Sequence, residues 1–381
     1  MRRTVYDADH EDFRQVVRRF LHAEVVPHFA EWEREGLVPR SLFEQLGELG
    51  VMGLTIPEEY GGAGEPSYRF GAILSEEVAA ALVATGPLRC HLDVVLPYLL
   101  AYANEDQRAR WFPGLASGHL LTAIAMTEPG AGTDLAGIST RARRDGDDYV
   151  IDGAKTFITG GMLADLVIVV ARTSDEDDRR RGLSLIVVEA DRPGFTRTGP
   201  MKKLGMHLQD TAELSFDGVR VPVANLLGEE GSAFSYLGRN LAKERLGIAV
   251  TAVANARAAI DLTTAYVRER TVFGQPVASF QTTKFELASM VTELDAAQLM
   301  VDRGVEAIDD GELSGVDAAK IKLFATEVQG RVVDRCLQLF GGYGYMAETP
   351  ISRLYADARV TRIYGGTSEV MRVIIAKSLG L

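Results

Sequence analysis

One carboxylate falls where an apolar side chain is expected. In the helical stretch that begins near residue 233, Leu237, Leu241 and Ile248 form an i, i+4, i+11 stripe, and the i+7 place on it is Glu244. A glutamate on a buried helical face is either paired or functional, because an unpaired buried charge is strongly unfavourable. Lys243 and Arg245 stand beside it, but adjacent helical residues do not face one another, so neither is its natural partner. On periodicity alone, a salt bridge and a proton-abstracting base both stay open. Burial in an apolar pocket would lift its pKa from roughly 4.3 toward 6–7, a range suited to a base.

Four further strings hold residue types that bind or position ligands. AMTEPGAGTD, Ala125 to Asp134, is a tight loop whose Pro and two Gly expose amides, with Thr127 and Thr133 adding hydroxyls. Such a loop serves either as a plain turn or as a hydrogen-bonding edge for a flat polar ring or a phosphate. KTFITGG, Lys155 to Gly161, reads as an amphipathic strand segment after a hairpin strand, with Phe157 and Ile158 on opposite faces. RERTVFGQPVASFQ, Arg268 to Gln281, ends a long helix, where arginines are common as dipole partners. QLFGGYGYM, Gln338 to Met346, contains a formal G-x-G-x-x-G/A match. That match is rejected as a dinucleotide fold, because the motif needs a strand before it. The preceding residues are instead helical, with Ala318, Ile321, Phe324 and Val328 along one face. Two other acids have structural readings: Glu369 opens the last helix, where a carboxylate suits the dipole, and Glu128 orients backbone in its loop.

The elements that must position these residues fall into three zones. Up to about residue 120 the pattern is helical: Phe13, Val16, Val17, Phe20 and Leu21 share a face, as do Leu42, Leu46 and Leu49. The breaker IPEEYGGAGEP precedes a helix near Ala72–Ala84, and another run spans about Leu92 to Ala103. Residues 121–228 read as a compact antiparallel β domain. Its strands include Tyr149–Ile151 between two Asp-Gly turns, Leu166–Ala171, Leu183–Val188, Thr211–Phe216 and Val219–Val223, with the charged loop TSDEDDRRRG between the second and third. Residues 229–381 return to long helices, about 233–269, 280–309 and 316–340 with a final one from Ser368, which predicts a four-helix bundle. The fold class is α+β, in the order helical domain, β domain, bundle.

Composition narrows the partners. A chain of 381 residues with 46% hydrophobic and 25% charged residues suits two or three packed soluble domains. Its 41 basic and 53 acidic residues leave a net charge of −12 with no Lys/Arg block, which argues against nucleic acid. The six histidines show no metal-ligand spacing, so no metal site is expected. Cys90 and Cys336 read as buried thiols of a reducing compartment. The N-terminus lacks a signal-peptide pattern, and no window approaches 18 uninterrupted apolar residues. The expectation is a cytoplasmic protein with no membrane insertion.

Five strings in order, IPEEYGGAG, MTEPGAGTD, KLGMHLQDTAELSFDGVRVP, ERTVFGQ and RIYGGTSE, resemble the acyl-CoA dehydrogenase family over essentially the whole chain. The resemblance implies FAD and oxidation of the Cα–Cβ bond of an acyl thioester to the trans-2-enoyl product. Most members carry a glutamate base between the Tyr and second Gly of the last string, where this chain has Gly365. Long-chain and isovaleryl-type members carry it on the bundle helix in an E-R-L string, which Glu244-Arg245-Leu246 matches. Glu244 is then the base, and the glycine leaves room near Cα for it and for a branched or bulky acyl group.

The same resemblance assigns the remaining sites. Met126, Thr127 and Thr133 meet the flavin edge, Phe157 covers its far face in place of the more usual Trp, and Thr159 reaches N5. Arg270, Phe273, Gln281, Gln338, Gly341 and Gly342 bind the adenosine-diphosphate portion of a neighbouring subunit's FAD, implying a homodimer or homotetramer. Thr367 and Glu369 contact cofactor, while Thr133, Arg245, Gly365 and Gly366 contact substrate, the Gly365 amide holding the thioester oxygen. The implied partners are an acyl-CoA or acyl-carrier-protein thioester and an electron-transfer flavoprotein. Two other functions stay open on the same fold: a flavin-dependent monooxygenase acting on amines, and a non-catalytic acyl-carrier-binding protein.

Overall fold

A computed structural model describes residues 3–175 and 178–381; Glu176 and Asp177, in the charged loop expected between two strands, and Met1 and Arg2 lie outside the described residues. The N-terminal region holds α1 Ala8–Phe20, α2 Phe29–Glu35, α3 Ser41–Glu48, α4 Tyr68–Ala80, α5 Leu96–Tyr102 and α6 Glu105–Ala116. Asp7 caps α1 and Asn104 caps α6, each in a reciprocal bond with the third residue of its helix. A widened π turn, Cys90–Val95, leads directly into α5.

The sheet follows, with β1 Thr122–Ala125, β2 Arg141–Asp145, β3 Asp148–Thr159, β4 Leu166–Arg172, β5 Leu183–Glu189, β6 Phe195–Thr198, β7 Thr211–Pro222 and β8 Leu226–Leu227. Its order is β6-β7-β3-β2-β4-β5-β8, with β1 beside β4. The expected antiparallel domain is therefore mixed: β1 and β2 each run parallel to β4, and the other pairings are antiparallel. The Asp145-Gly146 turn forms as expected, with Gly146 at φ 65°. The second Asp-Gly pair does not turn. Gly153 instead lies at a register shift inside β3, where a β-carbon would meet the Thr140 hydroxyl at 2.5 Å, so glycine marks a close approach. Consequently Tyr149–Ile151 and the KTFIT segment are one strand, and the two strands expected around Gly218 are likewise the single β7.

Alternation sorts β4 and β5 onto two cores. Leu166, Ile168, Val170, Leu183, Leu185 and Val187 face α5, α6 and the start of the long bundle helix, while Val167, Val169, Ile186 and Val188 face the opposite core with Tyr149 and Phe216. After the sheet come α7 Ala233–Glu269, a small hairpin of β9 Thr271–Val272 and β10 Gln275–Pro276, α8 Gln281–Asp309, α9 Gly315–Leu339, α10 Pro350–Ala358 and α11 Ser368–Ser378. The helix α10 is absent from the sequence reading. Phe324, expected on the buried face of α9, is instead turned toward the surface, while Ala318, Ile321 and Val328 are buried. By length and composition α7 could span a bilayer, but 67% of its most apolar stretch is buried inside the protein. It is the central core helix, packed against α4, α8 and α9.

Candidate active site

Glu244 sits mid-way along the first half of α7, 8% exposed, facing α5. Among the described residues its carboxylate accepts one hydrogen bond, from the Tyr98 hydroxyl to Oε1 at 3.0 Å. Burial pushes its pKa up to about 7, against the opposing pull of the Tyr98 bond and the Arg245 charge. The salt-bridge alternative fails on geometry. Lys243 points to the Tyr68 ring, 5.6 Å from its centroid, and the Arg245 Nε donates to the Gly365 carbonyl at 3.3 Å.

That carbonyl belongs to a glycine turn held by two cations. Gly365 and Gly366 have φ of 63° and 95°, a left-handed conformation that favours glycine. Lys322, wholly buried in α9, donates to the Gly366 carbonyl at 2.6 Å. Burial draws the Lys322 pKa down to about 8, with the Arg245 charge acting the same way. Arg245 and Lys322 thus hold consecutive carbonyls of one turn. The space expected beside Gly365 is filled, since a β-carbon there would stand 2.4 Å from Ile248 Cδ1. Ile248 lies one helical turn beyond Glu244, so this carboxylate and the glycine turn are neighbours along α7.

A second group lies at the sheet. The Thr127 carbonyl accepts from Thr156 N at 2.9 Å, tying the TEPGAG loop to β3. Beneath it Lys155 donates to the carbonyls of Met126 at 3.2 Å and Val170 at 2.7 Å, and to Glu128 Oε1 at 2.8 Å. Glu128 also accepts from Ser139 N, the Ser139 hydroxyl and Thr140 N, fulfilling its expected backbone role. Burial works to raise Glu128, but Lys155, Ser139 and Thr140 outweigh it and hold the pKa down to about 2. Burial draws the Lys155 ammonium down to about 8 against its partner's pull; with three acceptors around Nζ, both groups are charged at pH 7.

Phe157, near the end of this strand, has φ 59° and is 64% exposed, while Ile158 beside it is buried. A bulky residue in that backbone conformation is strained, and strain of this kind concentrates at ligand sites. The Gln209 amide donates to the Thr159 hydroxyl at 3.3 Å, which leaves the Thr159 proton free for another acceptor. Met126 and Thr127 are half-buried and Thr133 is exposed in the same loop. Cys90, half-buried and not fully buried as expected, lies within electrostatic reach of Glu244, Asp210 and Tyr364. The π turn, the β7 entry and the glycine turn therefore converge around it.

The remaining expected site residues form a separate cluster. Arg270 caps α7 and lies 5.7 Å from the centroid of the Tyr343 ring, beside Gly341 and Gly342. Phe273 is 94% exposed and packs edge-on to Phe280, next to Gln281, while Gln338 is exposed at the end of α9. The run Gly341–Tyr345 is a 3-10 turn after a helix, as the rejection of a dinucleotide fold requires. Arg270 stands 26 residues beyond Glu244 on one continuous helix, about 39 Å along its axis. Thr367 caps α11 through Val370 N, and Glu369 is exposed in its first turn.

Three family models match this chain in succession: acyl-CoA dehydrogenase N-terminal domain over residues 7–119, middle domain over 123–219 and C-terminal domain over 231–380. The chain belongs to the acyl-CoA dehydrogenase family. It is 43% identical over 379 residues to the mitochondrial long-chain specific acyl-CoA dehydrogenase of Sus scrofa, covering 99% of this chain and 88% of that one. Among solved structures, an acyl-CoA dehydrogenase from Geobacillus kaustophilus superposes with a TM-score of 0.96 at 44% identity, covering 99% of both chains. A glutaryl-CoA dehydrogenase from Mycobacterium smegmatis in complex with FADH2 does so at 0.89 and 31% identity, covering 98% of this chain and 95% of that one.

As a family member the protein is a flavin-dependent oxidoreductase with FAD as cofactor. The residues present fit a flat, polar-edged ring: an exposed strained aromatic, a free threonine proton and a loop clamped from below by a buried ion pair. Tyr98, Lys322, Lys155 and Gln209 are absent from the residues expected from sequence. Lys322 carried a readable signal, since it is a charge on the buried face of α9 just as Glu244 is on α7. Tyr98 carried none, because nothing local ties position 98 to 244.

Proposed function

We propose that this enzyme removes an α-proton and a β-hydride from an acyl thioester, with Glu244 as the base. The carrying observation is the isolation of Glu244, a buried carboxylate with a single neutral donor and a pKa near 7. A carboxylate so placed is unstable as an ion and accepts a proton readily at physiological pH. Its neighbour Gly365 offers a backbone amide, in a turn whose next two carbonyls are held by Arg245 and Lys322, to receive the thioester oxygen as charge builds on it. Gly366 and Thr133 are assigned to the substrate on the family resemblance. When bound, FAD would supply the acceptor for the hydride from Cβ, with an electron-transfer flavoprotein as the onward partner.

Met126, Thr127, Phe157 and Thr159 form the ring-binding side, with Thr367 and Glu369 toward the cofactor's hydroxyls. The other cofactor residues support a shared site. The 39 Å or so between Glu244 and Arg270 exceeds what one dinucleotide spans, so Arg270, Phe273, Gln281, Gln338, Gly341 and Gly342 serve the cofactor of a second subunit. Phe273, Tyr343, Tyr345 and Met346 are exposed around them, an apolar rim suited to a subunit interface in a homodimer or homotetramer. The free thiols Cys90 and Cys336 suit a reducing, cytoplasmic setting.

The substrate is a long or branched acyl-CoA, the reading supported by the long-chain relative, with an acyl-carrier thioester as the other form to test. Anaerobic mixing of the FAD-loaded enzyme with a panel of acyl-CoA and acyl-carrier thioesters tests this. Flavin bleaching with formation of the trans-2-enoyl thioester is expected for long or branched acyl-CoA. No bleaching by any member of the panel contradicts the reading.

A further inference from the structure

Tyr98 is among the most deeply buried large side chains of the protein, and its hydroxyl donates to Glu244 Oε1. Its placement has a local cause. The Cys90–Val95 turn is wider than an α-helical turn, with Leu96 N bonding the His91 carbonyl, and Pro97 then opens a new helix because its missing N–H is harmless there. Leu96, Tyr98 and Leu99 are thereby turned into the core that also takes Tyr236 and Leu237 of α7. A buried phenol needs an acceptor, and this one is given the carboxylate that the chemistry requires to stay reactive.

We propose that Tyr98 is the positioning residue of the base: its hydroxyl fixes Glu244 Oε1 and leaves Oε2 as the oxygen that takes the substrate's α-proton. This rests on the reading of Glu244 as base. In the step, the Cα–H bond breaks, its proton goes to Oε2 and its electron pair stays on the substrate carbon. Tyr98 keeps its own proton throughout, since burial and the Glu244 charge both push its pKa well above the ordinary phenol value. A hydrogen bond to the ionised form also favours that form, so Tyr98 sets how far burial can raise the base.

The other groups facing Glu244 do not substitute for it. Cys90, from the π turn, is a neutral thiol pushed up to about 12 by burial and then by the Glu244 charge. Arg245, on the same helix, spends its Nε on the Gly365 carbonyl, and Lys322 behind it serves Gly366.

The test is the pH profile of anaerobic flavin bleaching by one acyl-CoA, measured by stopped flow on the FAD-loaded Tyr98→Phe enzyme. Losing one bond to the carboxylate is expected to move the acid limb up by about one pH unit, a loss of about tenfold in rate below the midpoint. A limb that stays in place, in enzyme with a normal flavin spectrum, overturns the proposal. Should Tyr98→Phe not retain FAD, site-specific 3-fluorotyrosine at position 98 carries the test. Its more acidic phenol is expected to move the limb down, and an unmoved limb is again contrary. Glu244→Gln in the same series separates the two claims: if it still bleaches, the base assignment fails; if it does not bleach while Tyr98→Phe is unmoved, only the role of Tyr98 fails.

Discussion

Glu128 and Glu244 are buried to nearly the same degree, at 5% and 8% exposure, yet they end in opposite regimes. Around Glu128 stand an ammonium, a hydroxyl and two backbone N–H donors, and its pKa is held down to about 2. Around Glu244 stands one phenol, and its pKa rises to about 7. Burial acts on both in the same direction, and more strongly on Glu244; the number and charge of the donors then drive the two further apart. The first carboxylate is part of the floor beneath the TEPGAG loop, and the second is left able to exchange a proton.

The contrast is broken most severely at the paired site. Glu128→Gln leaves Lys155 buried without its counter-ion, which is expected to cost about 3–5 kcal/mol of stability at pH 7, read by chemical denaturation, together with weakened FAD retention. Because its folded pKa lies below the ordinary value, the stability Glu128 contributes is present above pH 4.5 and lost as pH falls toward 2. A variant as stable as the parent would show that the pair carries no load.

At Glu244 the sign reverses. Glu244 has a folded pKa near 7 against an ordinary 4.5, so its ionisation removes stability as pH rises from 4.5 through 7. Glu244→Gln is therefore expected to stabilise the protein by on the order of 3 kcal/mol at pH 8, a gain that shrinks toward zero near pH 4.5. Equal stability of parent and variant across that range would mean that Glu244 is not held in a desolvated pocket.

Gly365→Ala is a smaller change in the same neighbourhood. Its left-handed φ is expected to cost about 1–2 kcal/mol, with a further loss from the contact to Ile248 Cδ1. Ile248→Val deletes that atom, so the double variant should lose less than the two single variants summed. Strict additivity would place the strain in the backbone alone.

Much of this was legible in the sequence where the signal is local. The bounds of α7, α8 and α9 follow from uninterrupted 3.6-residue periodicity, and Glu244 stands out because it breaks one of those stripes. Gly153 misled because an Asp-Gly pair carries the same letters in a hairpin turn and at a close backbone approach; only the Thr140 side chain across the strand distinguishes them. The parallel pairings of β1 and β2 with β4 are contacts between segments far apart in the chain, which alternation within a strand does not encode. Tyr98 is hidden for the same reason: its meaning lies in a partner 146 residues away. Ile248 was visible as a stripe residue, but its occupation of the Gly365 space appears only once the turn is folded back on α7.

The central claim is that the isolated carboxylate, and no other acid of this chain, removes the substrate's α-proton. Anaerobic stopped-flow mixing of the FAD-loaded Glu244→Gln enzyme with a long-chain acyl-CoA tests it most directly. A normal oxidised flavin spectrum, bound thioester and no bleaching are expected. Bleaching at the parental rate would contradict it.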